Sequence, residues 1–443
     1  MASFAAEGAA AGAPRSSEAE TAGPGGFVAG CRTTAALVGN ATDPGAPGAG
    51  GPQRPPVYLD NAATTRLSDE AFAAMEPWLR GAWGNASAAY GLGRAARAAV
   101  EDARERIAAT IGAQPDEVYF TSCGTESDAW ALSGVMHADA RERGRARRVV
   151  TSAVEHPAVL EGVAQLRRRG FQASVVDVDG DALVDEAAFR DAVASDAALA
   201  SVMLANNETG AIEPVARLAE AAHERGALFH TDAVQAFGHI PVNVDALGVD
   251  LLSASAHKFH GPKGMGFLYV RRGTPIEPLL CGGHQERGMR AGTENVAGIA
   301  GMAAAAEAAV RGLSRDMPRI AALRDSLFGL IRDQVPDALE NGAGAPRVPG
   351  TLNVAVAGAD AVALVELLDA AGVCASGGSA CSTGTGKPSH VLSAMGLSLP
   401  RIQGSVRFSL SDQTTRADVE AAADAFARAV AHLRAFSDFI ELP

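Results

Sequence analysis

From Val57 onward, short apolar runs alternate with amphipathic helix-like stretches, and that rhythm leaves few folds open. Arg94–Ala109 reads as a helix, with Val100, Ala103 and Ile107 on one face and Asp102 four residues before Arg106 as a favourable pair. Val149–Val150 opens a strand, Pro157 starts a helix and Phe171–Val178 returns as a strand. Ser201–Ala205, Ala227–His230 and Val249–Leu252 read as further strands, with a helix over Pro214–Glu224 closed by Gly226. Elements in this order imply an α/β fold, a mostly parallel sheet covered by helices on both faces. Such a sheet binds its ligand beyond the carboxyl ends of its strands. From about Leu313 the helices lengthen and strand signals thin to Val348–Val356 and Ser405–Ser409, which predicts a smaller α+β domain.

Polar residues collect where those strands end. Asn206-Asn207-Glu208 follows one strand, Asp232 another and Lys258 a third. Lys258 opens a glycine-rich turn that runs to Gly266, a setting suited to a lysine that holds pyridoxal 5'-phosphate covalently. Lys263, after Pro262 in the same turn, suits a surface loop. That cofactor also needs a carboxylate at its ring nitrogen, and Asp232 is placed for it. Its phosphate needs backbone N–H groups at a helix start, which Gly124 and Thr125 supply ahead of Asp128–Leu132. A flat ring must face the pyridine, and His156 is the candidate. Asp232 and His156 each have a plainer alternative, as helix caps. Cys381 lies in the polar run Ser376–Gly386, where a thiol can reach a bound substrate. An electron-sink cofactor with a nucleophilic thiol points to sulfur removal from an amino acid.

Other classes are disfavoured. A formal charge of −13 argues against a nucleic-acid face, which needs clustered Lys and Arg. The basic runs Arg141–Arg148 and Arg167–Arg169 read as solvated surface. The five cysteines form no C-x-x-C pair, so no metal site is predicted and a reducing cytoplasm is expected. Cys374, after Ala370–Val373, is expected in a buried strand. Val296–Val310 is the most apolar stretch, but Glu307 interrupts it and it falls short of the ~18 residues of a membrane span. It reads as a helix packed inside the protein. Residues 1–56, dominated by Ala, Gly and Pro and containing Cys31, read as a disordered tail.

Block by block, the chain resembles the cysteine desulfurases, the NifS/IscS-type branch of the class V pyridoxal-phosphate-dependent aminotransferases. The matching blocks begin with Tyr58-Leu-Asp-Asn-Ala-Ala-Thr-Thr65, Phe120-Thr-Ser-Cys-Gly-Thr-Glu-Ser127 and Asn206-Asn-Glu-Thr-Gly210. They continue with His230-Thr-Asp-Ala-Val-Gln235, Ser255-Ala-His-Lys258 and Glu286-Arg-Gly-Met-Arg-Ala-Gly-Thr-Glu-Asn295. Gly378-Ser-Ala-Cys381 and Ser405-Val-Arg-Phe-Ser409 complete the set. The resemblance implies a fold-type I enzyme with a large cofactor domain over 66–312. A small domain from 57–65 plus 313–443 would carry the cysteine loop. It implies conversion of L-cysteine to L-alanine with sulfur held on Cys381 as a persulfide.

By the same resemblance, Lys258 bears the cofactor and moves the Cα proton, Asp232 pairs with the ring nitrogen and Gln235 bonds the ring hydroxyl. His156 stacks and assists proton transfer, beside Asn207. Thr125, Ser255 and His257 bind the phosphate, joined by the partner subunit's Thr293 in a homodimer. Arg407 and Asn85 hold the substrate carboxylate. The implied partner is a sulfur acceptor such as an iron–sulfur scaffold or a tRNA-thiolation protein, with no direct nucleic acid or membrane. Cys381 is left open as a transient iron–sulfur ligand. The chain departs from the family pattern at Asn85-Ala-Ser, Tyr90, Gly377-Gly378, Cys123 and Gln403, which bears on fine specificity. An aminotransferase or carbon–sulfur lyase on the same fold, a selenocysteine lyase and a silent scaffold remain the alternatives.

Overall fold

The computed structural model describes residues 55–144, 147–194, 196–377 and 388–437. Cys31, nearly all of the expected tail, and Cys381 with its neighbours 378–387 lie outside the described residues. The chain runs through β1 (Val57–Tyr58), α1 (Asp69–Arg80), α2 (Gly91–Ile111), β2 (Val118–Thr121) and α3 (Gly124–Arg143). It continues with β3 (Arg148–Ser152), α4 (Pro157–Arg168), β4 (Gln172–Val176), α5 (Glu186–Ala192), β5 (Ala197–Ser201) and α6 (Val215–His223). Next come β6 (Leu228–Asp232), α7 (Val244–Leu247), β7 (Leu251–Ser255), β8 (Gly266–Val270) and α8 (Val296–Gln334). The remainder is β9 (Leu339–Glu340), β10 (Thr351–Ala355), α9 (Ala361–Ala370), β11 (Val373–Cys374), α10 (His390–Ala394), α11 (Leu399–Gln403), β12 (Ser405–Ser409) and α12 (Arg416–Ser437).

The main sheet has seven strands in the order β2-β8-β7-β6-β5-β3-β4. From β4 to β7 every pairing is parallel, and β8 pairs antiparallel with both β7 and β2. Six strands therefore point the same way, and β2, β3, β5, β6 and β7 deliver their carboxyl ends to one edge. The sequence reading missed β8, because a fully apolar run after a glycine turn carries no sign of direction. Gly266 opens it between Thr121 and Ser255; a Cβ there would stand 2.7 Å from the Ala254 carbonyl oxygen. Only glycine lets the three strand ends close up.

Two expected strands shift. The fifth strand ends at Ser201 instead of beginning there, although Val202 N–H and Leu204 N–H still bond to the carbonyls of His230 and Asp232. The seventh runs to Ser255, three residues past Leu252, which brings it right up to the lysine turn. The basic run also differs from expectation. Arg147 is buried, its guanidinium held by Asp139 and the Ala197 carbonyl. Cys374 does lie in a strand, β11, half-buried.

The apolar stretch from Val296 is the start of a helix of 39 residues. It is long and apolar enough to cross a membrane by length and composition, unlike the shorter stretch expected, yet over half of its most apolar window is buried. Ile299, Met302 and Ala306 pack into the core under the main sheet. Ile320, Leu327 and Ile331 join a second core with Leu59, Leu352, Phe408 and Phe426. One continuous helix thus serves two cores, and the sequence boundary at 312/313 falls inside it.

Glu213, in the turn after β5, is buried, with one oxygen accepting from Val184 N–H at 3.0 Å and the other without a partner. Burial pushes its carboxyl up to about 8, with the charge of Asp179 adding to the effect. The folded state therefore binds this proton more tightly than the unfolded chain. The resulting stability is full below the unfolded carboxyl value and is lost as pH rises through about 8. Glu213→Gln is expected to melt like the parent at pH 5 and roughly 2–4 °C above it at pH 9, read by thermal denaturation.

Candidate active site

Lys258 closes a short 3₁₀ turn, Ala256–Lys258, directly after β7. The turn is pinned on all sides. Gly261 N–H returns to the Ala256 carbonyl at 2.9 Å, and the neutral ring of His239 donates from Nε2 to the Lys258 carbonyl at 3.1 Å. Burial brings His239 down to about 4, so it carries no charge there near neutral pH. His260 takes a left-handed conformation (φ 65°), held because its N–H donates to Thr65 Oγ1 at 2.8 Å. Lys258 Nζ points at the segment after β1, donating to the carbonyls of Ala62 (2.6 Å) and Ala63 (2.9 Å).

Asp232 is the last residue of β6 and is 5% exposed. Its carboxylate accepts from Val234 N–H at 2.8 Å. Burial raises its pKa, while the charges of His156 and Lys258 pull it back. His156 does cap α4, accepting from Ala158 N–H on Nδ1 at 3.1 Å. It faces Asp232 as well: polar atoms of Asp128, His156 and Asp232 all lie within 4.8 Å of one another. Capping and site placement therefore coexist, because accepting on Nδ1 leaves the proton on Nε2. Burial lowers the His156 pKa, with the charge of Asp232 working against it.

The start of α3 lies beside the lysine turn. No side chain caps its first turn, and an ideal Cβ at Gly124 would fall 3.5 Å from that of Ser255. Ser255 Oγ is buried without a hydrogen-bond partner. His257 reaches Thr64 Oγ1 at 3.2 Å and is held neutral, down to about 4, mainly by burial. Gln235 donates its amide to the Ala62 carbonyl at 2.9 Å, the same oxygen that Lys258 uses. Asn207 Oδ1 is another buried oxygen without a partner. These residues fit pyridoxal 5'-phosphate on their own chemistry. An open helix start next to an unpartnered serine hydroxyl suits a phosphate, and a buried carboxyl suits a pyridinium.

Arg407, in the middle of β12, is 2% exposed. It donates to the Asn207 carbonyl and to Asp60 Oδ1, both at 2.7 Å, and its Nε has no partner. Asn85 and Thr293 are not brought into this cluster. Asn85 is exposed between α1 and α2, where it accepts from Ser87 N–H at 2.8 Å, and Thr293 is exposed before α8. Cys381 lies outside the described residues, but both flanks of its segment are anchored here. Ser376 and Arg407 exchange backbone hydrogen bonds of 3.1 and 2.7 Å, and Ser389 Oγ donates to Glu208 at 2.5 Å. His390 donates to the Glu155 carbonyl at 2.9 Å.

Sequence reasoning placed Glu208 at a strand end but gave it no role, and it missed the buried acids Asp128 and Glu155 beside this cluster. Burial pushes all three carboxyls up. One signal was readable for Asp128: an acid four residues after Gly124, one turn along a helix that continues as Trp130-Ala131-Leu132.

Comparison with known proteins agrees with this geometry. The model of the aminotransferase class-V family matches residues 57–422. The cysteine desulfurase IscS of Dictyoglomus turgidum is 46% identical over 383 residues, 86% of this chain and 96% of that protein. A cysteine desulfurase of Cereibacter sphaeroides is 47% identical over 385 residues, 86% of this chain and 98% of its own. Among solved structures, a NifS-like protein superposes with a TM-score of 0.78 at 37% identity, over 87% of this chain and all of that one. A structure of SspA in complex with cysteine gives 0.71 at 31% identity, over 81% and 99%. With its sheet, lysine turn and sequence all in agreement, the chain belongs to the aminotransferase class-V family, in its pyridoxal-phosphate-dependent cysteine desulfurase branch.

Proposed function

We propose that the protein converts L-cysteine to L-alanine and carries the sulfur on Cys381 as a persulfide. The observation that carries this is the convergence of Lys258, Asp232 and His156, from three separate strand ends, beside the anchored flanks of the Cys381 segment. Bound pyridoxal 5'-phosphate supplies an electron sink for the substrate Cα. Lys258 Nζ would anchor it and carry the Cα proton, and the Asp232 carboxylate would hold the proton on its ring nitrogen. The His156 ring would stack on it, and Asn207 and Gln235 would supply polar contacts to its ring substituents. Gly124, Thr125, Ser255 and His257 gather the phosphate. Arg407, buried beside Asn207, is the group placed to hold the substrate carboxylate.

The Cys381 thiolate attacks the substrate sulfur. The carbon–sulfur bond breaks, a sulfur–sulfur bond forms and the substrate carbon is protonated. The balance is L-cysteine plus thiol giving L-alanine plus persulfide. A free thiol titrates near ~8.5, so the site must draw its proton away at neutral pH.

The working unit is a homodimer in the cytoplasm that passes sulfur to an acceptor protein such as an iron–sulfur scaffold. Trp83 at 72% exposure and the neighbouring Phe72, Leu79 and Tyr90 support an interface, as does Thr293, exposed on its own subunit. The unpaired thiols Cys123, Cys281 and Cys374 support a reducing compartment. The two separate apolar cores support a large domain over 66–312 and a small one from 57–65 plus 313–443.

With cysteine and reductant, alanine and sulfide should appear in equal amounts, and both should fall to background in Cys381→Ala while the cofactor band persists. Full turnover in Cys381→Ala would favour a lyase, and keto acid without alanine an aminotransferase.

A further inference from the structure

Asp128 has no part in the reaction just described, yet it is 1% exposed and lies beside Asp232 and His156. A carboxyl oxygen lies within 4.8 Å of polar atoms of both Asp232 and His156. One oxygen, Oδ1, is buried without a hydrogen-bond partner, 3.7 Å from His230 Nε2. The Ser253 hydroxyl bonds to the carboxyl group. Behind Ser253 stands His230, fully buried, with Nε2 at 2.9 Å from Ser253 Oγ and Nδ1 at 2.8 Å from Ser201 Oγ.

This chain has a consistent direction. Ser201 donates to His230 Nδ1, His230 donates from Nε2 to Ser253, and Ser253 donates to Asp128. Burial alone holds His230 down to about 3, so it passes hydrogen bonds without becoming a cation. The groups facing Asp128 come from several elements: Cys123 before α3, Glu155 and His156 ahead of α4, Asp232 and His230 on β6, Ser253 on β7. The charges acting on it, from Asp232, Glu155 and Cys123, all oppose its ionisation. A carboxylate here would also leave a bare negative Oδ1 with no donor, whereas an acid places its proton there.

We propose that Asp128 is a positioning residue for the cofactor ring, held as a neutral acid at the end of the Ser201–His230–Ser253 chain so that Asp232 alone carries the negative charge facing the pyridine nitrogen. Two buried carboxylates this close do not both ionise, and the pyridinium requires Asp232 to be the ionised one. Were Asp128 charged, Asp232 would hold the ring proton itself and the electron sink would weaken. This rests on the pyridoxal-phosphate reading above.

The test is cofactor uptake by the apoprotein, read as dissociation constant and as the visible band between pH 6.5 and 9, in parent, Asp128→Asn and Asp128→Ala. Asn keeps the shape and the neutrality; it is expected to bind within about threefold of the parent, with the band in place at every pH. Ala leaves Ser253 without its acceptor and is expected to bind about tenfold weaker or worse, the loss typical of a stranded buried donor. Ser253→Ala should move affinity in the same direction, and it provides the readout if Asp128→Ala does not fold. The proposal is overturned if Asn binds as weakly as Ala, or if its band titrates where the parent's does not, since charge would then be what matters. It is equally overturned if Ala, or Ser253→Ala in its place, matches the parent. A parent that takes up no cofactor sinks both this inference and the functional reading, which separates the two failures.

Discussion

Lys258→Ala will lower cysteine turnover by about 10³-fold or more while leaving the protein folded. The amine ends on two backbone carbonyls, Ala62 and Ala63, which orient it without being able to take its proton. Those carbonyls hold Nζ over the end of the sheet, close enough for its charge to act on both Asp232 and His156. Alanine removes both the covalent anchor and the base for the Cα proton, two functions no neighbour can assume. Lys263 lies in the same turn but is exposed. The variant should bind cofactor reversibly, so that dialysis strips it, and added small amines should restore part of the rate. The checks are alanine production and the visible spectrum before and after dialysis. A variant that retained more than a tenth of the parent rate would remove Lys258 from the mechanism.

The largest expected effect on stability is at Arg104. Its guanidinium makes a two-pronged pair with Glu286, at 2.7 and 2.8 Å, with both side chains almost wholly buried. It also donates to the Val118 carbonyl at 2.8 Å and to Glu101 at 2.9 Å, and lies 4.6 Å over the Phe120 ring. Glu286 in turn accepts from Phe120 N–H at 2.9 Å. One ion pair therefore ties α2, β2 and the 281–295 segment together, and Glu286 and Arg287 hold left-handed backbone there (φ 45° and 58°). Arg104→Ala strands the Glu286 charge in the interior and should cost about 3–5 kcal/mol, read by denaturant unfolding. Lysine should not rescue it, because a point charge cannot satisfy both carboxylate oxygens and the Val118 carbonyl. The damage should reach the pocket, since Arg290 of the same segment pairs with Glu126 near the start of α3 at 2.8 and 3.0 Å. A loss below about 1 kcal/mol would mean that the pair only offsets its own desolvation.

How far the sequence could be read depended on whether a feature was local. The parallel sheet was legible because β-runs and helices alternate along the chain, and each boundary carries its own signal, as at Pro157 or Gly226. Asp232, Lys258 and the start of α3 were legible for the same reason: each sits at a strand end, and parallel topology sends those ends to one edge. The direction of β8 was not legible. It depends on Gly266 fitting between Thr121 and Ser255, which are distant in sequence. Arg147 was misread as solvated because its partners, Asp139 and the Ala197 carbonyl, come from two other elements.

By itself the sequence determined the fold class and the family and nominated the reacting groups, since these follow from local patterning and ordered motif blocks. Tertiary structure alone decided which acids are sealed beside the pocket and what stands behind them. Asp128, Glu155 and Glu208 look like ordinary carboxylates in the chain, and burial is the largest influence opposing their charge. Desolvation depends on what surrounds a group from every direction, and no stretch of neighbouring residues encodes that.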